Sequence, residues 1–214
     1  MTTISLIPAA LPPGIDPLFD YLDLVGLTVF ALSGAVAAAA KRQTLVTFIF
    51  FAVITGVGGG TARDLLIGAP VFWIHENATL LICFVSALIV WLLPARIWTG
   101  KALLWFDAVG LAAYAAYGAA KGLAFGVAPL PAVGMGVLTA CLGGIIRDVF
   151  AGEPSILMRS ELYVTAAALS AASMVLLALA GFSGLGAVLA AAAAGFALRA
   201  GAILRGWSLP AYSR

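Results

Sequence analysis

Seven long apolar runs divide the chain, and no aqueous loop composition interrupts them. They fall at 21–40, 44–60, 77–94, 104–122, 129–147, 161–180 and 183–204, with ends set to within about 4 residues. A helix that crosses a bilayer needs about 20 apolar residues. The runs show no period-two alternation and are too long for strands, so a closed barrel is excluded. The expected fold is an all-α integral membrane protein with seven transmembrane helices. Composition agrees: 64% of the residues are hydrophobic and 9% charged, against about 25% charged in an ordinary soluble domain. That excludes a soluble enzyme, a nucleic-acid-binding module and a disordered chain. The net charge of +2 says little about partners. Cys83 and Cys141 sit in apolar runs and suggest neither a disulfide nor metal ligation.

Sidedness follows from Lys and Arg. Residues 1–20 carry Asp16, Asp20 and several prolines but no Lys or Arg, unlike a secretory signal; they read as an external N-terminal tail. With the N-terminus outside, the inner side receives nine cations: Lys41, Arg42, Arg96, Lys101, Arg147, Arg159, Arg199, Arg205 and Arg214. The outer side receives Arg63 and Lys121 alone. The expected C-terminus is cytoplasmic.

The chain also matches itself at a shift of 84 residues. Asp23-Leu-Val-Gly26 falls on Asp107-Ala-Val-Gly110, Gly34 on Gly118 and Thr55 on Thr139. Gly59-Gly60-x-x-Arg63-Asp64 falls on Gly143-Gly144-x-x-Arg147-Asp148, and Gly68-x-Pro70 on Gly152-x-Pro154. Without a gap, 16 of the 49 pairs between Leu22–Pro70 and Phe106–Pro154 are identical. Ala-rich spans match by chance at Ala and Val, not at Gly-Gly-x-x-Arg-Asp-x-x-x-Gly-x-Pro. Each repeat holds three spans. Three is odd, so the second copy enters the membrane from the opposite side, an inverted repeat with a pseudo-two-fold axis in the membrane plane. The expected organisation is repeat 1 at 21–100, repeat 2 at 101–181, a seventh helix at 182–204 and a C-terminal tail at 205–214.

In such folds the site lies near the midplane between the repeats, on interrupted helices. Gly58, Gly59 and Gly60 weaken a helix by about 1 kcal/mol each relative to Ala, so a kink or break is expected there and at Gly143-Gly144. Bared carbonyls suit a cation, and Thr55 and Thr139, one turn earlier, would repair freed backbone groups or line a wet path. The alternative is that the glycines serve only close helix packing. Arg63, Asp64, Arg147 and Asp148 are too costly to face lipid, at about 2.5–3.5 kcal/mol per charge. They either form and gate a hydrophilic path or lock the fold. Neighbours on a helix point about 100° apart, so at least one member of each pair is expected to be structural. Asp23 and Asp107 open the first helix of each repeat, and capping is the favoured reading. Lys121 either snorkels to the interface or points inward as a gate. His75, the only histidine, reads as interfacial, and the five tryptophans as an aromatic belt. The small-residue ladder Ala187–Ala191–Gly195, and Gly181 with Gly184, suit helix contacts within or between protomers. No metal cluster and no phosphate loop occurs, so neither an enzyme nor an ATP-driven pump is expected, and no cofactor.

With both copies of Gly-Gly-x-x-Arg-Asp-(Leu/Val)-(Leu/Phe)-x-Gly-x-Pro on a three-plus-three-plus-one chain, the sequence resembles the prokaryotic trimeric intracellular cation (TRIC) channel family. The same domain also carries the labels glycine transporter and uncharacterised membrane family. The resemblance spans residues 20–205. It implies a homotrimer with one pore per protomer, surrounded by membrane lipids. The conducted ions would be monovalent, potassium above sodium, with no nucleic acid partner. It further implies kinked helices 2 and 5, a peripheral seventh helix, and a possible gating counterpart in Lys121, after a lysine on the fourth helix of animal relatives. The implied location is the bacterial inner membrane. The alternative function is secondary transport of a small solute such as glycine, its carboxylate at a half-helix N-terminus.

Overall fold

A computed structural model describes residues 18–98, 100–158 and 161–210 of the chain. Residues 1–17, Arg159 and Arg214 lie outside the described residues, while residues 18–20, expected in the tail, open the first helix. The described residues form seven α-helices: α1 (Leu18–Ala40), α2 (Leu45–Ile67), α3 (Asn77–Leu92), α4 (Gly100–Ala124), α5 (Pro129–Phe150), α6 (Val164–Leu179) and α7 (Leu185–Arg205). Five are long and apolar enough to cross a membrane, while α3 and α6 are apolar but shorter. At 1.5 Å per residue those two span about 24 Å, short of a hydrocarbon core of about 30 Å. Among the described residues the β pairing is a single bridge between Glu161 and Ser208.

Local sequence explains the helix ends. Gly68 ends α2 at φ 69° and donates its N–H to the Asp64 carbonyl, a left-handed stop that glycine takes without strain. Pro129 opens α5, where its missing N–H leaves no helical bond unmade. Pro94 follows α3. Gly181 and Gly184, at φ 87° and 81°, make the α6–α7 turn and have no neighbour at their Cβ positions; the contacts expected of them within the protomer are corrected.

The helices pack as two similar triplets, α1 with α2 and α3, and α4 with α5 and α6. The triplets meet through α1 against α4 and α2 against α5, and α7 lies on α4 and α6. The contacts between triplets are reciprocal. A Cβ on Gly59 would strike the carbonyl oxygen of Thr139, and a Cβ on Gly143 that of Thr55. Likewise Gly26 faces the ring of Tyr114, and Gly110 that of Phe30. Each pair maps onto its mate by the 84-residue shift, so residue i meets j as j meets i, the mark of a two-fold relation. Phe30 and Tyr114 stack across this axis with ring centroids 5.3 Å apart.

The break expected as one alternative does not occur. Helix α2 runs unbroken through Gly58-Gly59-Gly60, and α5 through Gly143-Gly144. The glycines leave the helical bonding intact and bring two backbones together. The ladder Ala187, Ala191 and Gly195 is buried within the protomer, with Gly195 against Ser170 and the Ala166 carbonyl of α6.

A methyl added at Gly59 meets backbone that cannot yield, and overpacking costs about 1–3 kcal/mol. Gly134, an exposed glycine of α5, has nothing near its Cβ position, so alanine there gains about 1 kcal/mol of helix propensity. Thermal unfolding in detergent is expected to rank Gly134→Ala above wild type and Gly59→Ala below it.

Candidate functional site

The crossing of α2 and α5 separates two buried clusters of charge. Arg63 and Arg147 each lie four residues beyond the glycine at the crossing, about 6 Å further along their helices. The helices run oppositely about the axis, so the clusters sit on opposite sides of the crossing.

In the first cluster Arg63 and Asp64 are fully buried. Arg63 Nε donates to Asp64 Oδ1 at 2.8 Å, and Lys121 Nζ from α4 reaches the same oxygen at 2.9 Å. Asp64 Oδ2 accepts the backbone N–H of Phe72 at 3.2 Å. The guanidinium stands over the Tyr117 ring, 4.9 Å from its centroid, a cation–π contact. The Tyr114 hydroxyl donates to the Asp23 carbonyl at 3.2 Å.

The second cluster repeats the plan. Arg147 Nε donates to Asp148 Oδ1 at 2.9 Å, and Asp148 Oδ2 accepts the Ile156 N–H at 3.0 Å. Phe72 and Ile156 are again 84 residues apart. Arg147 Nη1 also donates to Asp107 Oδ1 at 2.8 Å and to Ser33 Oγ at 2.5 Å. Ser33 and Tyr117 are equivalent positions on α1 and α4, so each arginine is covered from the first helix of the other repeat. A third pair lies beside this cluster: Arg199 of α7 donates to Glu161 at 2.7 Å and stands over the Tyr163 ring.

The structure decides four points about the expected residues. Each Arg and its neighbouring Asp bond to one another, because the arginine stem is long enough to turn back along the helix surface. Asp107 lies seven residues inside α4 and Asp23 five inside α1, so the capping reading is corrected: Asp107 is a buried counterion. Of the two readings of Lys121, the inward direction holds, since its ammonium meets buried Asp64. Arg147 and Arg199 are buried in ion pairs, so they do not report topology as loop charges do. The described cations that remain exposed are Lys41, Arg42, Arg96 and Arg205. Lys41 bonds Glu153, which places the α1–α2 turn and the end of α5 on one face.

Of the candidate path residues, Thr55 and Thr139 are 1% exposed. Thr139 turns its hydroxyl back to the Met135 carbonyl at 2.6 Å, and Thr55 Oγ1 lies against Gly34. Gly58 abuts Ile146, and Gly60 the ring of Phe72. Ser33, Tyr117, Tyr163 and the Arg199–Glu161 pair escaped the sequence reading. Ser33 and Tyr117 are detectable only by position, since equivalent places that differ in residue type leave no identity.

Removing one partner of a buried ion pair costs about 3–5 kcal/mol, because the other charge stays buried. Asp64→Ala strands Arg63 and Lys121 together and is expected to lower the unfolding midpoint far more than Lys121→Met, which leaves Asp64 its arginine. Equal losses would show that Lys121 carries the cluster.

The duplication and the fold both recur in known proteins. The sequence family described as Glycine transporter matches this chain twice, at residues 20–95 and 104–179, again offset by 84. A UPF0126 membrane protein of Vibrio cholerae is 36% identical over 198 residues, covering 90% of this chain and 82% of its own. The UPF0126 inner membrane protein YadS of Escherichia coli is 40% identical over 152 residues, covering 68% of this chain and 72% of its own. Among solved structures, the TRIC trimeric intracellular cation channel orthologue from Rhodobacter sphaeroides superposes with a TM-score of 0.83 at 40% identity, covering 90% of this chain and 100% of that one. Matched in sequence along both repeats and in structure along a whole chain, this protein belongs to the TRIC channel family, whose sequence domain is described as Glycine transporter.

Proposed function

We propose that the protein is a passive cation channel of the inner membrane, a homotrimer with one pore per protomer and a preference for potassium over sodium. The carrying observation is the pair of buried charge clusters, related by the pseudo-two-fold axis, on either side of the α2–α5 crossing. Buried charge is expensive in a membrane, and two matched sets flanking a midplane contact are what a polar path through the protomer requires. The relatives support the reading: the Rhodobacter sphaeroides structure is named a trimeric cation channel, and another with 29% identity is described for conductance through TRIC cation channels.

The path would run between α2 and α5, past Thr55, Gly58, Gly59, Gly60, Thr139, Gly143 and Gly144, where hydroxyls and carbonyls replace hydration. The tight contact of Gly59 with Thr139 and of Gly143 with Thr55 is then the closed constriction. Opening separates two smooth helices instead of unwinding them. Arg63, Asp64 and Lys121 on one side, and Arg147 and Asp148 on the other, would set the field at its two mouths. The repeats are taken as 21–100 and 101–181, with the Lys41 face cytoplasmic and the N-terminus outside.

Secondary transport of glycine is the second reading, favoured by the family description. The unbroken α2 and α5 weigh against it, since they present no half-helix N-terminus at the crossing for a carboxylate. The deciding experiment is purified protein in a planar bilayer under a potassium gradient. Stepwise currents reversing near the potassium potential are expected. Saturable glycine uptake without unitary current would overturn the channel.

A further inference from the structure

Helix α7 has no counterpart in the duplicated plan, yet it sends a buried arginine toward the second charge cluster. Arg199 is fully buried and reaches two residues just ahead of α6. Its Nη2 donates to Glu161 Oε2 at 2.7 Å, and its guanidinium lies 5.4 Å from the centroid of the Tyr163 ring. The Glu161 side chain is 34% exposed, so one end of this contact is near the surface and the other is in the interior. Tyr163 is 1% exposed, and its hydroxyl hydrogen-bonds Asp107. Asp107 Oδ1 in turn accepts from Arg147 Nη1 at 2.8 Å. A Cβ on Gly144 would lie 2.9 Å from the Tyr163 hydroxyl, 3.4 Å from Asp107 Oδ1 and 3.6 Å from Arg147 Nη2. The three side chains therefore converge on bare glycine backbone, and contacts run without a gap from Glu161 to Arg147.

The first repeat supplies the comparison. It has the equivalent aspartate, Asp23, and the equivalent arginine, Arg63. Thr79 stands at the position of Tyr163, and among the described residues no helix lies on α1 and α3 as α7 lies on α4 and α6. There Arg63 bonds Asp64, and among the described residues no ion pair joins it to Asp23. The aspartate on the first helix of a repeat is thus gripped by the arginine where a tyrosine and the α7 arginine stand behind it, and is not where they are absent. The physics gives the direction of the effect. A guanidinium over a phenol ring is attracted to its face, and linked hydrogen bonds at low dielectric polarise one another. Arg199 therefore strengthens the Tyr163 hydroxyl as a donor, and that bond fixes the Asp107 carboxylate with Oδ1 toward Arg147.

We propose that Arg199 is a positioning residue: through Tyr163 it holds Asp107 against Arg147 and so sets the charge arrangement at the mouth of the path beside the end of α5. The proposal rests on the channel reading and deepens it, since it gives the helix outside the repeat a part in the electrostatics of the path.

The test has two readouts on the purified full chain. The first is a cycle of unfolding midpoints for Arg199→Gln, Asp107→Asn and the double variant, run with Tyr163 and again with Tyr163→Phe, which keeps the ring and removes the hydroxyl. Residues that share a network do not add. With Tyr163 present, the double variant is expected to fall short of the summed losses by about 2–4 °C; with Tyr163→Phe the losses are expected to add. Additivity with Tyr163 present, or an equal shortfall without its hydroxyl, overturns the proposal. Arg199→Lys, which keeps a charge beside Glu161 and loses the planar group over the ring, serves in the same cycle if Arg199→Gln does not fold. The second readout is the unitary potassium current. Arg199→Gln and Tyr163→Phe are expected to change it in the same direction, and together by no more than the larger single change. Gly195→Ala, which strains the contact of α7 with α6 away from the ring, is expected to lower the midpoint and leave the current as in wild type. A current changed as much by Gly195→Ala makes the role of α7 one of packing alone and overturns the positioning. Wild type that carries no current removes the channel, while the cycle of midpoints still decides whether Arg199 holds Asp107.

Discussion

The structure depends on two helix backbones touching at its centre. Where Gly59 meets the Thr139 carbonyl and Gly143 meets that of Thr55, a side chain on either glycine would hold α2 and α5 apart. Lipid tails are as apolar as leucine, so association inside a membrane relies on such close packing and on polar contacts between helices. The crossing supplies the packing. The reciprocal contacts of α1 and α4, and the charge clusters on either side, all take their positions from it.

The clusters show how a membrane protein keeps charge at depth. No arginine of either repeat pair is left to a single partner. Each is bound by the aspartate next to it in sequence and covered by a residue from the other repeat, Tyr117 or Ser33. Each such aspartate also accepts a backbone N–H from eight residues downstream, which ties the loop after the helix to its last turn. Locking the fold and shaping a polar route are therefore not exclusive roles. The same bonds that hold the triplets together keep a cluster of polar groups on each side of the midplane contact.

Symmetry explains most of the arrangement, and its breaking marks the places of functional interest. Lys121 has Ala37 as its counterpart, Phe72 has Ile156, and α7 with Arg199 has none. An exact duplication would have two equal halves. Differences at the cluster residues, such as Lys121 against Ala37, make the two halves unlike while the shared crossing is kept.

Much of this was legible before any coordinates. Seven apolar runs, the 84-residue self-match and the odd number of spans per repeat determined the helices and their inverted relation, because bilayer thickness and chain direction leave little choice. The four charges of the Arg-Asp pairs were marked as buried, because their cost in lipid requires cover. What the glycines do was decided only by tertiary structure. Propensity argued for a break, but helical bonds within a membrane are too costly to open, and the glycines are used for contact instead. Partners were likewise beyond the sequence. Asp107 reads locally as a cap and Lys121 as either a snorkelling or an inward-pointing side chain, and only the packing of α4 against α5 and the nearness of α2 turn them into partners of buried charge. A sequence records which groups must be hidden; which groups hide one another depends on which helices meet.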